Sequence, residues 1–313
     1  MAIFTSTINQ TAFLLLLIAI GFFLVKIGAL DGAYSSVLSK LENNIFVPAL
    51  MLGTFMNNFT VEKLSMSGKF FVVGVLVMCI MAPLGTLLAR FFSKNSYERK
   101  IYTYGFAFAN FAFMGNAVVS ALFPEVFMQY LILTVPYQMF IYAWAVPALL
   151  IPVENATTLK ERLRPLMNPM FGAVIVGIII GLLKIPLPSF MKTAVTTLGD
   201  CMSPVAMILT GMTVAKIDLK KVFKTVGIYV ATFLRLIVIP IIVIAVLYFL
   251  PMSYEMKLCI LCSLAMPLGL NTVVIPGAYG RDTSLGAGMA LISHTVSVAT
   301  IPVIFMLFEK VVG

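Results

Sequence analysis

Apolar runs about as long as a bilayer is thick recur along this chain, with short polar stretches between them. A helix needs roughly 20 mainly apolar residues to cross the hydrocarbon core. Ten runs qualify, at 10–28, 36–57, 67–92, 101–122, 128–152, 168–185, 190–214, 222–250, 256–278 and 285–308. Spans 4 and 9 stand apart, because Gly, Pro or Asn interrupts each of them. No connection is long enough to form a soluble domain, and the longest polar stretch lies between spans 5 and 6. The pattern predicts an all-α membrane protein of ten transmembrane helices.

Composition agrees with the pattern. Hydrophobic residues make up 61% of the 313 positions and charged residues 11%, whereas a soluble domain carries about 25% charged residues. Polar surface is too scarce to cover a water-soluble globule. The first run carries no basic leader and no small-residue cleavage site, so it reads as the first membrane helix and not as a signal peptide.

The net charge of +9 suits a nucleic-acid binder only until the charges are located. Fourteen lysines and arginines fall in one set of connections, from Lys26 and Lys40 to Lys224 and Arg281. Six fall on the other side with the termini, and Arg235 lies inside span 8. That asymmetry marks topology. It places both termini outside a cell (inner) membrane and the 154–167 connection in the cytoplasm, with no nucleic-acid partner.

The chain also repeats itself. Asn116-Ala117-Val118-Val119 recurs as Asn271-Thr272-Val273-Val274, 155 residues on. Pro147 pairs with Pro302, Pro48 with Pro204, Pro83 with Pro240, and Lys26-Ile27 with Lys184-Ile185, at offsets of 155 to 158. Ordered matches at a nearly constant offset mark a duplication. Residues 1–153 form the first repeat and 168–313 the second. Five spans is an odd number, so the second copy enters from the opposite side. Inverted repeats with interrupted helices in equivalent places are typical of secondary transporters.

The interruptions hold the candidate substrate contacts: Asn110, Gly115 and Asn116 in span 4, and Pro267, Gly269 and Asn271 in span 9. Proline removes a backbone donor and glycine relaxes the backbone. Asn116 and Asn271 are favoured N-cap types, so a second half-helix is expected to begin at each. A half-helix start presents free N–H groups and partial positive charge. Two such starts meeting near the midplane would hold an anion without a formal cation. Joining helices through amide hydrogen bonds is the alternative role for the two asparagines.

Met266-Pro267 through Ala278-Tyr279-Gly280-Arg281-Asp282, Ser297 to Pro302, Val47-Pro48-Ala49-Leu50 and Phe113-Met114-Gly115-Asn116 resemble the auxin efflux carrier family over the whole chain. The short connection between spans 5 and 6 resembles prokaryotic members more than the plant PIN-type exporters. The resemblance implies the fold of sodium/proton antiporters and bile-acid symporters, with spans 4 and 9 crossing. It implies a scaffold of spans 1, 2, 6 and 7, often dimeric, and a moving transport domain of spans 3–5 and 8–10. It implies organic-anion substrates such as indole-acetate and dicarboxylates, with carboxylate contacts at Asn116 and Asn271.

Other polar residues at depth widen the set. Gln138 and Ser293 are repeat equivalents that could line the site. His294, the only histidine, titrates near neutral pH when unperturbed and is a coupling candidate. Asp200 and Arg235 join it, since ionisable groups inside membrane helices are costly and need a reason. Arg235 lies about 20 Å beyond Lys221 along a helix, and a structural pairing is its expected role. Glu42 sits near the cytoplasmic end of span 2 and is expected to be solvated. Cys259 and Cys262 read as plain buried thiols. No cofactor or metal is expected, and either a sodium ion or a proton would serve for coupling. The carrier reading competes with a cation/proton antiporter or sodium-coupled symporter of the same fold. An antiporter would want acids where this crossing has amides. A membrane-embedded enzyme would want a motif such as HExxH, a nucleophile elbow or a P-loop, and none occurs.

Overall fold

The computed structural model describes residues 2–151 and 169–313. The expected cytoplasmic connection at 154–167 lies outside them. The described residues are helical apart from turns and one isolated antiparallel bridge, Ala109 with Leu268.

The first half runs α1 (Ala2–Lys26), α2 (Tyr34–Leu41), α3 (Val47–Asn58), α4 (Val61–Ala89), α5 (Ser96–Ala107), α6 (Asn116–Leu122) and α7 (Phe127–Phe140). A π-helical turn, Glu42–Phe46, joins α2 to α3 without a break, and α7 continues as a π-helix over Ile141–Leu150. The second half runs α8 (Pro169–Leu183), α9 (Ser189–Asp200), α10 (Met202–Lys216), α11 (Leu219–Lys224), α12 (Val226–Phe233), α13 (Ile239–Phe249), α14 (Tyr254–Leu264), α15 (Asn271–Ala278) and α16 (Ser284–Val311). Another π-helical turn, Leu234–Val238, joins α12 to α13.

Among the described residues, five helical stretches are long and apolar enough to cross a bilayer: Gly68–Ala89, Pro124–Leu150, Ser189–Lys216, Val226–Phe249 and Ser284–Val311. Their outer faces suit lipid as the solvent. Val72, Leu76 and Ile80 on α4 recur every fourth residue and are all more than half exposed. Such a stripe costs nothing against lipid. In water it would be an aggregation site.

The inward faces pack through glycine where backbones must touch. A Cβ at Gly21 would lie 2.0 Å from the carbonyl oxygen of Ile208, and one at Gly211 would lie 1.9 Å from that of Ile18. So α1 and α10 meet backbone to backbone at a reciprocal pair of glycines. Small residues of this kind let membrane helices approach closely. Gly211→Ala should therefore lower stability by about 1–3 kcal/mol, the usual cost of overpacking. Gly172→Ala, with nothing within 4 Å of the new methyl, should be neutral or stabilising by up to about 1 kcal/mol through helix propensity. Thermal unfolding of the purified variants checks both.

Candidate functional site

Span 4 breaks where its sequence stops looking helical. Phe106-Ala107-Phe108-Ala109 alternates aromatic and small residues, a period of two that suits extended backbone. α5 ends at Ala107, Phe108 is extended, and Asn110 (φ −78°, ψ 50°) starts a π-helical turn, Phe111–Gly115, that runs into α6. Span 9 breaks over 265–270, around Pro267, and resumes as α15. The two breaks lie side by side. The Asn110 N–H donates to the Pro267 carbonyl at 2.7 Å, and Ala109 pairs with Leu268. Irregular backbone at this depth survives only where protein or water satisfies it, and here each break satisfies part of the other.

Arg235 and α16 complete the knot. Arg235, fully buried, donates from Nη1 to the Phe106 carbonyl at 2.9 Å and from Nε to the Met266 carbonyl at 3.4 Å. Phe106 belongs to the last turn of α5, where carbonyls have no helical partner and carry partial negative charge, and Met266 follows the end of α14. One guanidinium thus serves the carbonyl ends of both interrupted helices. From α16, Ser293 accepts from the Leu268 N–H at 3.3 Å. His294 Nδ1 faces the Ala290 carbonyl at 2.8 Å, so that nitrogen carries a proton. Its Nε2 faces the Asn110 side-chain nitrogen at 2.9 Å and accepts from it.

Two cavities adjoin the crossing. An enclosed one of about 20 Å³, lined by Asn110, Asn271, Gln138, Tyr104, Tyr142 and Gly269 among others, has room for about one water. Residues at the starts of both resumed helices, Phe111, Ala112, Leu270 and Asn271, form part of its wall. Asn271 Nδ2 donates to Tyr104 Oη at 2.7 Å. The Oδ1 atoms of Asn110 and Asn271 and both amide atoms of Gln138 are buried with no partner among the described residues. An open cavity of about 360 Å³ lies on the other side of Ala112 and Met202, which line both. Asn116, Asn57, Ser120, Thr196, Asp200 and Ser203 give it polar walls.

A family model described as membrane transport protein matches residues 6–305. The chain belongs to the auxin efflux carrier family. No curated relative matches the sequence. As an auxin efflux carrier family member, the chain is a multi-pass membrane transporter.

The carrier's expected site residues divide by place. Asn110, Gln138, Gly269 and Asn271 line the enclosed chamber. Asn116 and Asp200 line the open cavity, Asp200 exposed at its wall. Pro267, Ser293, His294 and Arg235 hold the crossing together without lining either cavity. Gly115 is buried under Tyr130, whose hydroxyl would lie 2.2 Å from a Cβ there and donates to the Phe111 carbonyl. Cys259 and Cys262 are buried and free.

Three expectations need correction. The second half of span 4 does not start at Asn116. Gly115 and Asn116 are both right-handed helical, and the Gly115 N–H already bonds to the Asn110 carbonyl, because pairing with Leu268 pulls the break back to Phe108–Asn110. Nor does Asn271 cap its helix through the side chain. It is the first residue of α15, and its amide reaches Tyr104 instead. Finally, Glu42 is not solvated but wholly buried, because the turn that it begins packs against α8, α9, α10 and α15. Tyr104 and Tyr142 do not stand out among the candidates that the sequence offers. Tyrosines in the middle of apolar runs, away from the interfacial level where they are usual, are the available signal.

Proposed function

We propose that this protein is a secondary carrier of small organic anions, working by alternating access of the elevator type. Ten passes in two inverted five-helix repeats make up the carrier. Spans 3–5 and 8–10 form the moving domain, and spans 1, 2, 6 and 7 the scaffold through which two copies pair. The observation that carries the reading is the chamber at the crossing, closed in this state to about the volume of one water, which a carboxylate would enter once the partition of Ala112 and Met202 opens. It combines two resumed helix starts with amide side chains, and its lining among the described residues contains no carboxylate. Helix starts and amide N–H groups favour an anion, and a chamber wall without acid speaks against a cation/proton antiporter.

The open cavity supports an entry route. At about 360 Å³ it falls within the usual range for small-molecule pockets, about 300–1,000 Å³. It is lined along α3 as far as its C-terminal end at Asn57 and Asn58, by Asn116 and Ser120 of α6, and by α9. With both termini extracytoplasmic, that end faces outward, and Ala112 and Met202 form the partition a substrate passes to reach the crossing.

The test is a panel of mono- and dicarboxylates, indole-acetate and succinate among them, added to purified protein. A ligand at about 100 times its Kd stabilises by about 2.7 kcal/mol, a shift of several degrees. The stabilising compound should then be taken up by proteoliposomes. Stabilisation by sodium with no response to any carboxylate would favour the antiporter reading instead.

A further inference from the structure

Glu42 occupies a place the carrier reading does not explain. Its carboxyl is wholly buried, and neither oxygen has a partner among the described residues. The neighbouring Asn43 is buried too, with its Oδ1 unpartnered. Both lie on the π-helical turn Glu42–Phe46. An extra residue of this kind inside an α-helix redirects side chains, and such turns are frequent at functional sites. This one packs against α15, the helix that begins at Asn271, as well as against α8, α9 and α10. Across the same boundary, Tyr142 is within electrostatic reach of Glu42 and lies beside Asn271 in the wall of the enclosed chamber.

Other charged and titratable groups on the packed elements do not offer Glu42 a counter-ion. α3, α8 and α15 carry none. Tyr34 and Lys40 on α2, and Lys192 and Asp200 on α9, are exposed. Lys216, at the far end of α10, is exposed and donates to Ser35. Among the described residues, Tyr142 is the buried titratable side chain within electrostatic reach of the carboxyl.

An ionised carboxylate without a partner in such surroundings is very costly, so the group is held here as the neutral acid. Apolar filling alone would be better served by leucine. We propose that Glu42 is a proton-binding site, loaded in this state, that couples the proton to the anion at the crossing. The mechanism is direct electrostatics. With Glu42 neutral, no negative charge stands behind Tyr142 and Asn271, and an anion binds there more tightly. With Glu42 ionised, the two negative charges repel. Reciprocity follows, so anion binding favours protonation by the same factor. Because the turn sits on the scaffold side of the proposed moving boundary, displacement of α15 and Tyr142 would open Glu42 to water and release the proton. Proton and anion would then travel together. This rests on the carrier reading for the anion, though not for the proton site itself.

The experiment has two arms on full-length protein in lipid. In the first, infrared spectra at neutral pH are compared for wild type, Glu42→Gln and Glu42→Asp. Wild type should show the carbonyl stretch of a protonated carboxyl, and Glu42→Gln should lack it. Identical spectra in that region overturn the proposal. In the second, uptake of labelled indole-acetate and succinate by proteoliposomes is measured with and without an inward proton gradient. Wild type should be accelerated about tenfold or more. Glu42→Gln, a neutral mimic of similar volume, should lose that acceleration, and Glu42→Asp should keep most of it. A full gradient response in Glu42→Gln overturns the coupling. A wild type that carries neither compound but shows the Glu42 band sinks the anion reading and leaves the proton site standing.

Discussion

Arg235→Met should be among the most damaging single substitutions in this protein, costing about 2–5 kcal/mol and with it most of the yield of folded material. Two effects oppose each other. Burying a guanidinium costs several kcal/mol, and Met removes that cost. Against this stand the carbonyls of Phe106 and Met266, to which Arg235 donates. Each buried acceptor left without its partner costs about 1–3 kcal/mol, and these two sit where interrupted helices expose concentrated negative partial charge. No water reaches them as a substitute, since Phe106 and Met266 are themselves fully buried. The second effect wins because the charge serves two ends at once. Arg235→Lys separates charge from geometry. It keeps the positive charge, but a point-like ammonium lacks the planar fork that reaches two carbonyls, so its loss should fall between those of wild type and Met. Thermal unfolding in detergent, read beside fluorescence-detected size exclusion, measures this. If Arg235→Met unfolds with wild-type stability, the breaks hold themselves apart without help.

The same residue shows how far sequence reasoning reaches. Hydropathy alone places Arg235 in mid-membrane, and electrostatics alone demands a partner. The partners are backbone carbonyls, which have no sequence signature, so their identity is illegible there. The breaks are legible in kind but not in register. Pro267 declares itself, because it has no N–H to give. The span 4 break has no proline. Analogy with span 9 assigns it to Gly115-Asn116, whereas the aromatic–small alternation ending at Ala109 marks it better. Glycine at 115 answers to the bulk of Tyr130 and not to a turn. Glu42 escapes for a related reason. Depth along a helix can be counted from the sequence, but the helices that pack over the turn, α8, α9, α10 and α15, leave no signature beside Glu42.

Asn271 carries the sharpest test of the chamber. One of its amide hydrogens is committed to Tyr104 Oη, and the rest of the amide belongs to the chamber that it lines with Leu270 and Tyr142. On the proposed carboxylate site, Asn271→Ala would remove a charge-assisted hydrogen bond to the bound anion, worth about 1.5–3 kcal/mol, so affinity should fall by about 10- to 100-fold. The cap contributes nothing to this loss, since the side chain does not cap its helix. Folding should survive, because the Tyr104 hydroxyl can still be met by a water in the space the amide vacates. Asn271→Asp is the more telling variant. Tyr104 can donate to the new carboxylate, so the local bond persists with its polarity reversed and the fold is kept. The chamber then holds a negative charge in low dielectric, where like charges repel strongly. The ionised N271D variant must therefore bind a carboxylate more weakly than N271A does, although its side chain resembles asparagine more closely in shape. That inversion separates an electrostatic site from a merely shape-selective one. It is read by calorimetric titration with whichever carboxylate stabilises the wild type, at a pH high enough to keep the introduced carboxyl of N271D ionised. An N271D protein that folds and binds that carboxylate as tightly as wild type would remove the anion from this chamber and leave the open cavity at Asn116 as its place.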